Sequence, residues 1–347
     1  MLELVAGKIG GWPAEAYSET YYPAQFGWSP LRALRRLDTK YIEAPKPELF
    51  ELSLDPAELK NRVGQNAAVA ESLRKRLVEI EKKMYASPTS PAAVGTSLDR
   101  EDLKKLATLG YLGNTAPVAN QPSSTPVPDP KDKLRVFTLI SAAGRNAAER
   151  RYALAVQQLK RIIALEPEME MAHFLLGDCY FQQQLYGPSH QVFERLLKLN
   201  PTSVRAFFYR SACDFYLKRR DRAEAGFLEV LLRDPQGSYT QDAHRYLGFI
   251  FQGREDTKRA IQEFQKVLEV SPEDREAHSK LGFLFAKESR FSDAASHFRK
   301  AIELDASNAS AHFNLGQAYL KLNERHLAKV QLQKACKLDA RYCGQGP

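Results

Sequence analysis

The sequence predicts a mostly helical protein in which paired helices stack into an array, preceded by a small α+β region. Two observations lead to this prediction. A helix-ending proline, or an alanine in its place, recurs at Pro167, Pro201, Pro235, Pro272, Ala306 and Ala340. The steps are 34, 34, 37, 34 and 34 residues, and a period in this range is typical of arrays of helix pairs. Residues 17–56, in contrast, mix aromatics and prolines with short stretches that alternate as strands do.

Each repeat carries the same pattern of small and large residues when its proline is numbered as place 32. Leu-Gly stands at places seven and eight in four repeats, and place eleven is aromatic in those repeats. The glycines at place eight are Gly177, Gly248, Gly282 and Gly316, and place 24 is mostly aromatic, with Phe193, Phe227, Phe264 and Phe298. Glycine and a small residue at place twenty would let the two helices of a repeat approach closely. Proline at place 32 ends the second helix because it cannot continue the hydrogen-bond ladder.

This pattern resembles the tetratricopeptide repeat (TPR), and the resemblance covers six units from about Asp132 to Ala340. It implies a right-handed α-α superhelical TPR solenoid of about six repeats. The first and third repeats depart from it, with Ala142-Ala143 and Arg210-Ser211 in place of Leu-Gly. Only seven residues follow Ala340, so we expect no capping helix and hence self-association or fraying at the uncapped C-terminal repeat.

The region before the array predicts strands and one helix. "YSETYY", "TKYIEAP" and "ELFEL" alternate as strands do, and Asp55 stands where it could cap a turn or a helix. The apolar residues Leu73, Leu77, Ile80 and Met84 have helical spacing.

These residues are similar to the C-terminal subdomain of the sulfatase family, within the alkaline-phosphatase-like hydrolases. The similar segments are "YSETYYP", "FGWSPLRALR", "KYIEAPKPELFEL", "DPAELKN" and, further on, "LATLGYLG". Phe50 and Glu51 stand where the family usually has Tyr and Asp. The resemblance implies a small α+β fragment without chemistry of its own. The family's nucleophile lies in a Cys/Ser-x-Pro-Ser/Ala-Arg motif, and neither this motif nor the metal-binding set is in these 347 residues.

We therefore predict four segments. Residues 1–84 are the sulfatase-like fragment, 85–133 a linker rich in Pro, Ala and Ser with a short helix at 99–109, 134–340 the TPR array, and 341–347 a tail.

The positions of the cysteines and histidines indicate that these residues pack in the structure and do not bind a metal or act in catalysis. Cys179 and Cys213 fall at the same place of neighbouring repeats, where a small buried residue is expected, and Cys336 and Cys343 belong to the last helix and the tail. Four histidines share place four: His173, His244, His278 and His312. Ligands about 10 Å apart cannot share one zinc ion, whose Zn–N bonds are about 2 Å long. We predict no catalytic residue, no metal and no cofactor.

The inner surface of such an array is lined by the first helix of each repeat, at places two, five, six, nine, twelve and thirteen. Aromatic side chains dominate there at first and are followed by cationic and polar ones, which suits a peptide that carries carboxylates. The alternative is that the aromatics only thicken the core. The predicted groove residues are Phe174, Phe181, Arg205, Phe208, Tyr209, Phe215, Arg245, Tyr246, Phe249, Lys280, Lys287, Asn314 and Lys321.

The net charge of +8 belongs to the second half of the chain. Residues 1–130 carry 16 Lys and Arg against 16 Asp and Glu, and residues 131–347 carry 34 against 26. This indicates either an acidic partner or merely a solvated helical surface. The basic run "LKRRDR" at 217–222 is interpreted as a solvated turn, and we predict no nucleic-acid binding, since one such run gives no basic face with exposed aromatics. No membrane span is expected.

The predicted function is that of a protein-interaction scaffold, which binds a peptide or protein partner in the groove and is not an enzyme. The alternative is that these residues belong to a sulfatase-type hydrolase or transferase with a C-terminal TPR module. The sequence does not fix a compartment. Taken alone it favours the cytoplasm, whereas a longer sulfatase precursor would favour the periplasm or a membrane-associated location.

Overall fold

A computed structural model describes residues 15–20, 23, 26, 28–85 and 127–344. Backbone contacts divide the chain into two compact units, residues 1–148 with 158–172 and residues 149–157 with 173–347. The predicted short helix at 99–109 and the segment "LATLGYLG" lie outside the described residues.

The first unit contains an antiparallel sheet of four strands in sequence order, β1 (Glu15–Thr20), β2 (Leu31–Arg36), β3 (Thr39–Glu43) and β4 (Glu48–Glu51). The register sets Leu34, Tyr41 and Leu49 side by side. Helix α1 (Ala67–Tyr85) covers this row with the predicted apolar residues Leu73 and Leu77. Asp55 caps a turn and not a helix, because its carboxylate accepts from the Lys60 amide at 2.7 Å.

Residues 127–133, at the end of the predicted linker, lie against this sheet within the same unit. The Ser29 amide donates to the Pro128 carbonyl at 2.9 Å, and the Lys46 amide donates to the Asp129 carboxylate at 2.9 Å. Lys131 completes the contact with an ion pair to Glu48 at 3.2 Å. The four-segment division drawn from the sequence stays a prediction, and these contacts show that residues 127–133 are held by the sheet.

Twelve helices follow in the described residues and form six consecutive pairs, as the repeat predicts. They are α2 (Leu134–Ala148), α3 (Tyr152–Leu165), α4 (Glu170–Gln182), α5 (Tyr186–Leu199), α6 (Val204–Tyr216), α7 (Arg220–Arg233), α8 (Thr240–Gly253), α9 (Thr257–Val270), α10 (Arg275–Lys287), α11 (Phe291–Leu304), α12 (Ala309–Lys321) and α13 (Arg325–Leu338). The fold is a mostly helical TPR-like solenoid with a small N-terminal sheet. Among the described residues, no helix has the length and apolar character that crossing a membrane requires.

Glycine at place eight allows an aromatic ring to enter between the two helices of a repeat. A Cβ built on Gly177 would stand 2.7 Å from the ring of Phe193, and one on Gly282 would stand 2.7 Å from the ring of Phe298. Both rings are fully buried or nearly so. The glycine therefore lies closest to the aromatic ring at place 24. The sequence predicted only that the glycine and the small residue at place twenty let the two helices approach closely.

The end of the array corrects one prediction. Cys336 and Cys343 form a disulfide across seven residues, so they are neither a core thiol nor part of an unattached tail. A single 3₁₀ turn, Ala340–Tyr342, follows α13, and the Tyr342 ring stacks on Phe313 of α12 at 4.9 Å. Cys179 and Cys213 are free and fully buried, as predicted, and burial raises the pKa of each thiol to about 11.

Candidate peptide-binding site

A pocket of about 400 Å³ opens among the first helices of the second to fifth repeats, all within the second unit. Because the first helices of successive repeats stand side by side, their inward-facing side chains meet here. The lining residues come from α4, α6, α8 and α10: Phe181, Gln182, Phe208, Tyr209, Phe215, Tyr216, Asp242, Arg245, Tyr246, Phe249 and Glu276.

The aromatic wall is held by ring contacts that run into the core. Tyr246 stacks on the buried ring of Phe227 with centroids 4.8 Å apart, and Tyr216 stacks on Tyr186 at 4.4 Å. Phe215 meets the edge of Tyr246 at 5.1 Å. Rings arranged edge to face and offset in this way are favourable beyond the area they bury. The wall therefore keeps its shape without a ligand.

Two tyrosine hydroxyls give this wall its polar atoms. The hydroxyl oxygens of Tyr216 and Tyr246 lie 3.4 Å apart. Burial, followed by the hydrogen bond with Tyr216, raises the pKa of Tyr246, and burial also raises the pKa of Tyr209. Tyr246 and Tyr209 therefore present neutral hydroxyl groups. Tyr216, at 39% exposure, is the most accessible of the three rings.

Arg245 is held by three carboxylates. Its guanidinium lies 2.6 Å from Asp274 and 3.7 Å from Glu276, and it also pairs with Asp242. Burial works against its charge, but the hydrogen bond to Asp274 and the neighbouring carboxylates outweigh burial, so its pKa is raised. The sequence predicted that Arg245 binds a carboxylate of the peptide. In the structure, Asp242, Asp274 and Glu276 already compensate its charge.

The remaining predicted cations and Asn314 do not line the pocket. The Arg205 guanidinium stands 3.5 Å from the ring centroid of Phe174, and the Lys280 ammonium stands 5.2 Å from that of Phe249. Lys287 and Lys321 are exposed at the ends of their helices. Asn314 is half-buried and contacts Ser310 at 3.5 Å.

Of the thirteen predicted groove residues, seven line the pocket: Phe181, Phe208, Tyr209, Phe215, Arg245, Tyr246 and Phe249. Four further lining residues were not among the predictions, namely Gln182, Tyr216, Asp242 and Glu276. All four stand at places two or thirteen of their repeats, and the rule for the inner surface includes both places. The rule for the inner surface therefore covers all four, of which Tyr216 is aromatic, Gln182 carries an amide, and Asp242 and Glu276 are acidic.

The histidines at place four are buried or half-buried packing residues, as predicted, and three of them also form hydrogen bonds, which the sequence did not predict. His244 lies 2.6 Å from Glu263, His278 lies 3.0 Å from His297, and His312 lies 2.7 Å from Gln331. Each partner stands at place 23 on the second helix of the same repeat. No group of three or more metal-ligating side chains occurs among the described residues.

Family models match two parts of the array. Tetratricopeptide-repeat models match residues 146–204 and 309–342, and a TPR-repeat model matches residues 284–323. The helix pairs within these residues match tetratricopeptide repeats. These matches confirm the prediction drawn from the 34-residue period, and none of them extends to the N-terminal sheet.

Solved structures agree on the fold. Pseudomonas aeruginosa PilF superposes with a TM-score of 0.53 at 15% identity, over 59% of this chain and 92% of that one. PilW, described as a type IV pilus biogenesis factor, gives 0.51 at 16% identity over 60% and 96%. The C-terminal part of a TPR repeat-containing protein from Cytophaga hutchinsonii gives 0.51 at 18% identity over 58% and 80%. No curated protein matches the sequence.

Proposed function

We propose that the TPR array is a protein-interaction scaffold whose pocket, lined by first helices, binds a segment of a protein or peptide partner. TPR proteins are typically interaction scaffolds, and the chain contains these repeats. The observation that carries the proposal is the pocket itself. Aromatic side chains from three successive repeats line this pocket of about 400 Å³. The hydroxyl groups of Tyr216 and Tyr246 add polar atoms to its lining.

The partner segment presents a large apolar or aromatic side chain to the pocket. A pocket of this size surrounded by aromatic rings favours a large apolar side chain as the anchor residue of the partner. Such anchor residues contribute most of the binding free energy at protein interfaces. Asp242 and Glu276 border the same pocket, each with about half of its side chain exposed. A carboxylate on the anchor itself would meet these like charges, so an acidic part of the partner would lie further along, toward Lys280, Lys287 and Lys321.

The test is selection from a random peptide library on the whole chain, followed by affinity measurements on variants. Tyr216→Ala removes the most accessible ring of the pocket. Leu232→Ala removes a side chain that is 77% exposed on the second helix of the same repeat and serves as the control. We expect selected peptides to carry a large apolar residue and to lose about tenfold in affinity with Tyr216→Ala. Equal affinities for both variants, or no enrichment of apolar residues, would remove the proposal.

We also infer that residues 1–84 are the C-terminal part of a sulfatase-like domain without catalytic activity. The support is the sequence resemblance of Tyr17–Pro23, Phe26–Arg35 and Lys40–Leu52, together with an α+β arrangement of four antiparallel strands and one helix. The 347-residue chain should not turn over an aryl sulfate. Turnover by this chain would contradict the inference, and an in-frame upstream Cys/Ser-x-Pro-Ser/Ala-Arg segment would support the alternative of a larger hydrolase.

Self-association through the last repeat is the remaining prediction about partners. Light scattering on the whole chain tests it. A second measurement on Tyr342→Ala, which removes the ring stacked on Phe313, shows whether the C-terminal turn limits association.

A further inference from the structure

The turn between α6 and α7 brings together cations that the interaction function does not use. Lys218, Arg219, Arg220 and Arg222 stand within five residues, and Arg254 joins them from the following turn of the array. With Asp221 these side chains line a cavity of about 540 Å³. It shares no lining residue with the aromatic pocket.

The fold does not require this basic run. Lys218 has a positive φ of 62°, and the same place of other repeats has the same backbone conformation with Gln184 (60°), Glu255 (62°), Ser289 (60°) and Asn323 (64°). A turn of this shape therefore forms equally well with acidic, amide or hydroxyl side chains. Gathering like charges costs free energy unless a counter-charge is supplied.

Internal counter-charges satisfy only part of the cluster. Arg254 pairs with Glu224 and, at 2.6 Å, with Asp221, while Arg219 pairs with the buried Asp214 at 3.3 Å. The guanidinium of Arg220 donates to the neutral carbonyl of Gly253 at 2.9 Å.

Three cations are left over. Lys218, Arg220 and Arg222 have no ion pair with any other residue in the described part of the chain. All three line one cavity, and the backbone of their turn does not require charged side chains.

We propose that this cavity is a binding site for a multiply charged oxyanion, namely a phosphate or sulfate group. Guanidinium groups form paired hydrogen bonds with the oxygens of such groups, and a lysine adds a point charge beside them. A single-stranded nucleic acid is not the ligand we infer, because none of the described residues that line the cavity is aromatic and could stack with a base. The group could belong to a free anion or to a lipid headgroup, and the experiment separates these two sources.

The experiment measures calorimetric binding of inorganic tripolyphosphate to the whole chain at low ionic strength. The double variant Lys218→Ala/Arg222→Ala removes two of the uncompensated cations. The control Lys329→Ala/Lys334→Ala removes the same charge from exposed positions on α13. We expect the first variant to bind at least about tenfold more weakly, because two charge-assisted contacts are lost, and the control to bind as the unaltered chain does.

Two results would overturn the proposal. One is the absence of tripolyphosphate binding by the unaltered chain. The other is an equal loss in both double variants, since this would mean attraction by net charge and not by a site. Sedimentation with phosphatidylglycerol vesicles, against phosphatidylcholine vesicles, identifies the source. Binding that tripolyphosphate displaces and that Lys218→Ala/Arg222→Ala abolishes supports a headgroup, and tripolyphosphate binding without vesicle binding supports a free anion.

Discussion

The third repeat and its neighbours solve the same packing problem in different ways. In the second, fourth and fifth repeats a glycine at place eight lies against a phenylalanine ring, and an added Cβ would meet that ring at 2.7 to 2.9 Å. The third repeat has Ser211 at place eight, and its glycine is Gly226 on the second helix, where an added Cβ would meet the Ser211 hydroxyl. The two helices thus approach closely in all four repeats, but the glycine that makes room can stand on either helix.

The polar contacts between the helices change together with this exchange. In the fourth, fifth and sixth repeats place four is histidine and place 23 supplies a hydrogen-bonding partner, as in His244 with Glu263 and His312 with Gln331. In the third repeat place four is Phe207 and place 23 is Gly226, so both polar groups are absent together. A buried polar group without a partner costs free energy, and the third repeat avoids this cost by lacking both groups.

The largest effect in this comparison should come from removing the ring that the glycine admits. Phe298→Ala leaves a cavity at a site where the side chain is 1% exposed, so we expect a loss of about 3–5 kcal/mol in the free energy of unfolding. Urea unfolding of the whole chain measures it. A loss below about 1 kcal/mol, the size of a surface change, would show that the glycine and the ring do not form a packing unit.

A smaller effect should follow from filling the space opposite the ring. In Gly282→Ala the new Cβ would stand 2.7 Å from Phe298, so the ring must shift, at a cost of about 1–3 kcal/mol. Gly144→Ala is the matched control, because nothing lies within 4 Å of a Cβ at that position in α2. There we expect about 0.5–1 kcal/mol of stabilisation from helix propensity. If the two variants changed stability in the same direction, the explanation by close approach would fail.

The pair His278–His297 makes the fifth repeat sensitive to pH. Burial and, to a lesser degree, the neighbouring His278 lower the pKa of His297 from 6.5 to about 4. The unfolded chain therefore binds a proton more readily, so stability is complete above about pH 6.5 and declines as the pH falls toward 4.

His297→Gln tests this by giving place 23 the residue of the sixth repeat, Gln331. We expect a smaller loss of stability between these pH values than in the unaltered chain, measured by urea unfolding at each pH. His326→Gln, on an exposed residue of α13, is the control and should leave the pH profile unchanged. An identical profile for His297→Gln would refute the assignment.

The smallest effect concerns a feature that the described repeats share. Ser289 adopts a positive φ of 60°, which L-residues other than glycine enter at a cost of about 1–2 kcal/mol. Ser289→Gly relieves this cost but gives the unfolded chain more freedom, so we expect a net stabilisation of no more than about 1 kcal/mol by thermal unfolding. Destabilisation would mean that the side chain of Ser289 contributes a contact that outweighs the backbone conformation.

Much of the array was predictable because its determinants are local and repeated. The period of 34, the glycine at place eight and the proline at place 32 define helix boundaries and the sites of close approach, and the structure places the helices accordingly. The helical spacing of Leu73 and Leu77 likewise predicted helix α1, which packs on the row Leu34, Tyr41 and Leu49, whereas β2 was not among the predicted strands.

Other features depend on residues that are distant in sequence. The contact of residues 127–133 with the sheet joins positions more than 80 residues apart in the sequence, and no periodic pattern predicts it. The disulfide between Cys336 and Cys343 depends on a chain reversal after α13 that single-residue preferences do not reveal.

The sequence by itself determined that this protein is a series of helix pairs, and which face of each first helix turns inward, because a side chain's face follows from its place in a regular helix. Only the tertiary structure decided which charged side chains are paired with a carboxylate. Arg245 is enclosed by Asp242, Asp274 and Glu276, while Lys218, Arg220 and Arg222 have no such partners among the described residues. The physical reason is that a charge is compensated by the charged groups within a few ångströms of it, and in a stack of repeats some of these, such as Glu276 beside Arg245, belong to the next repeat.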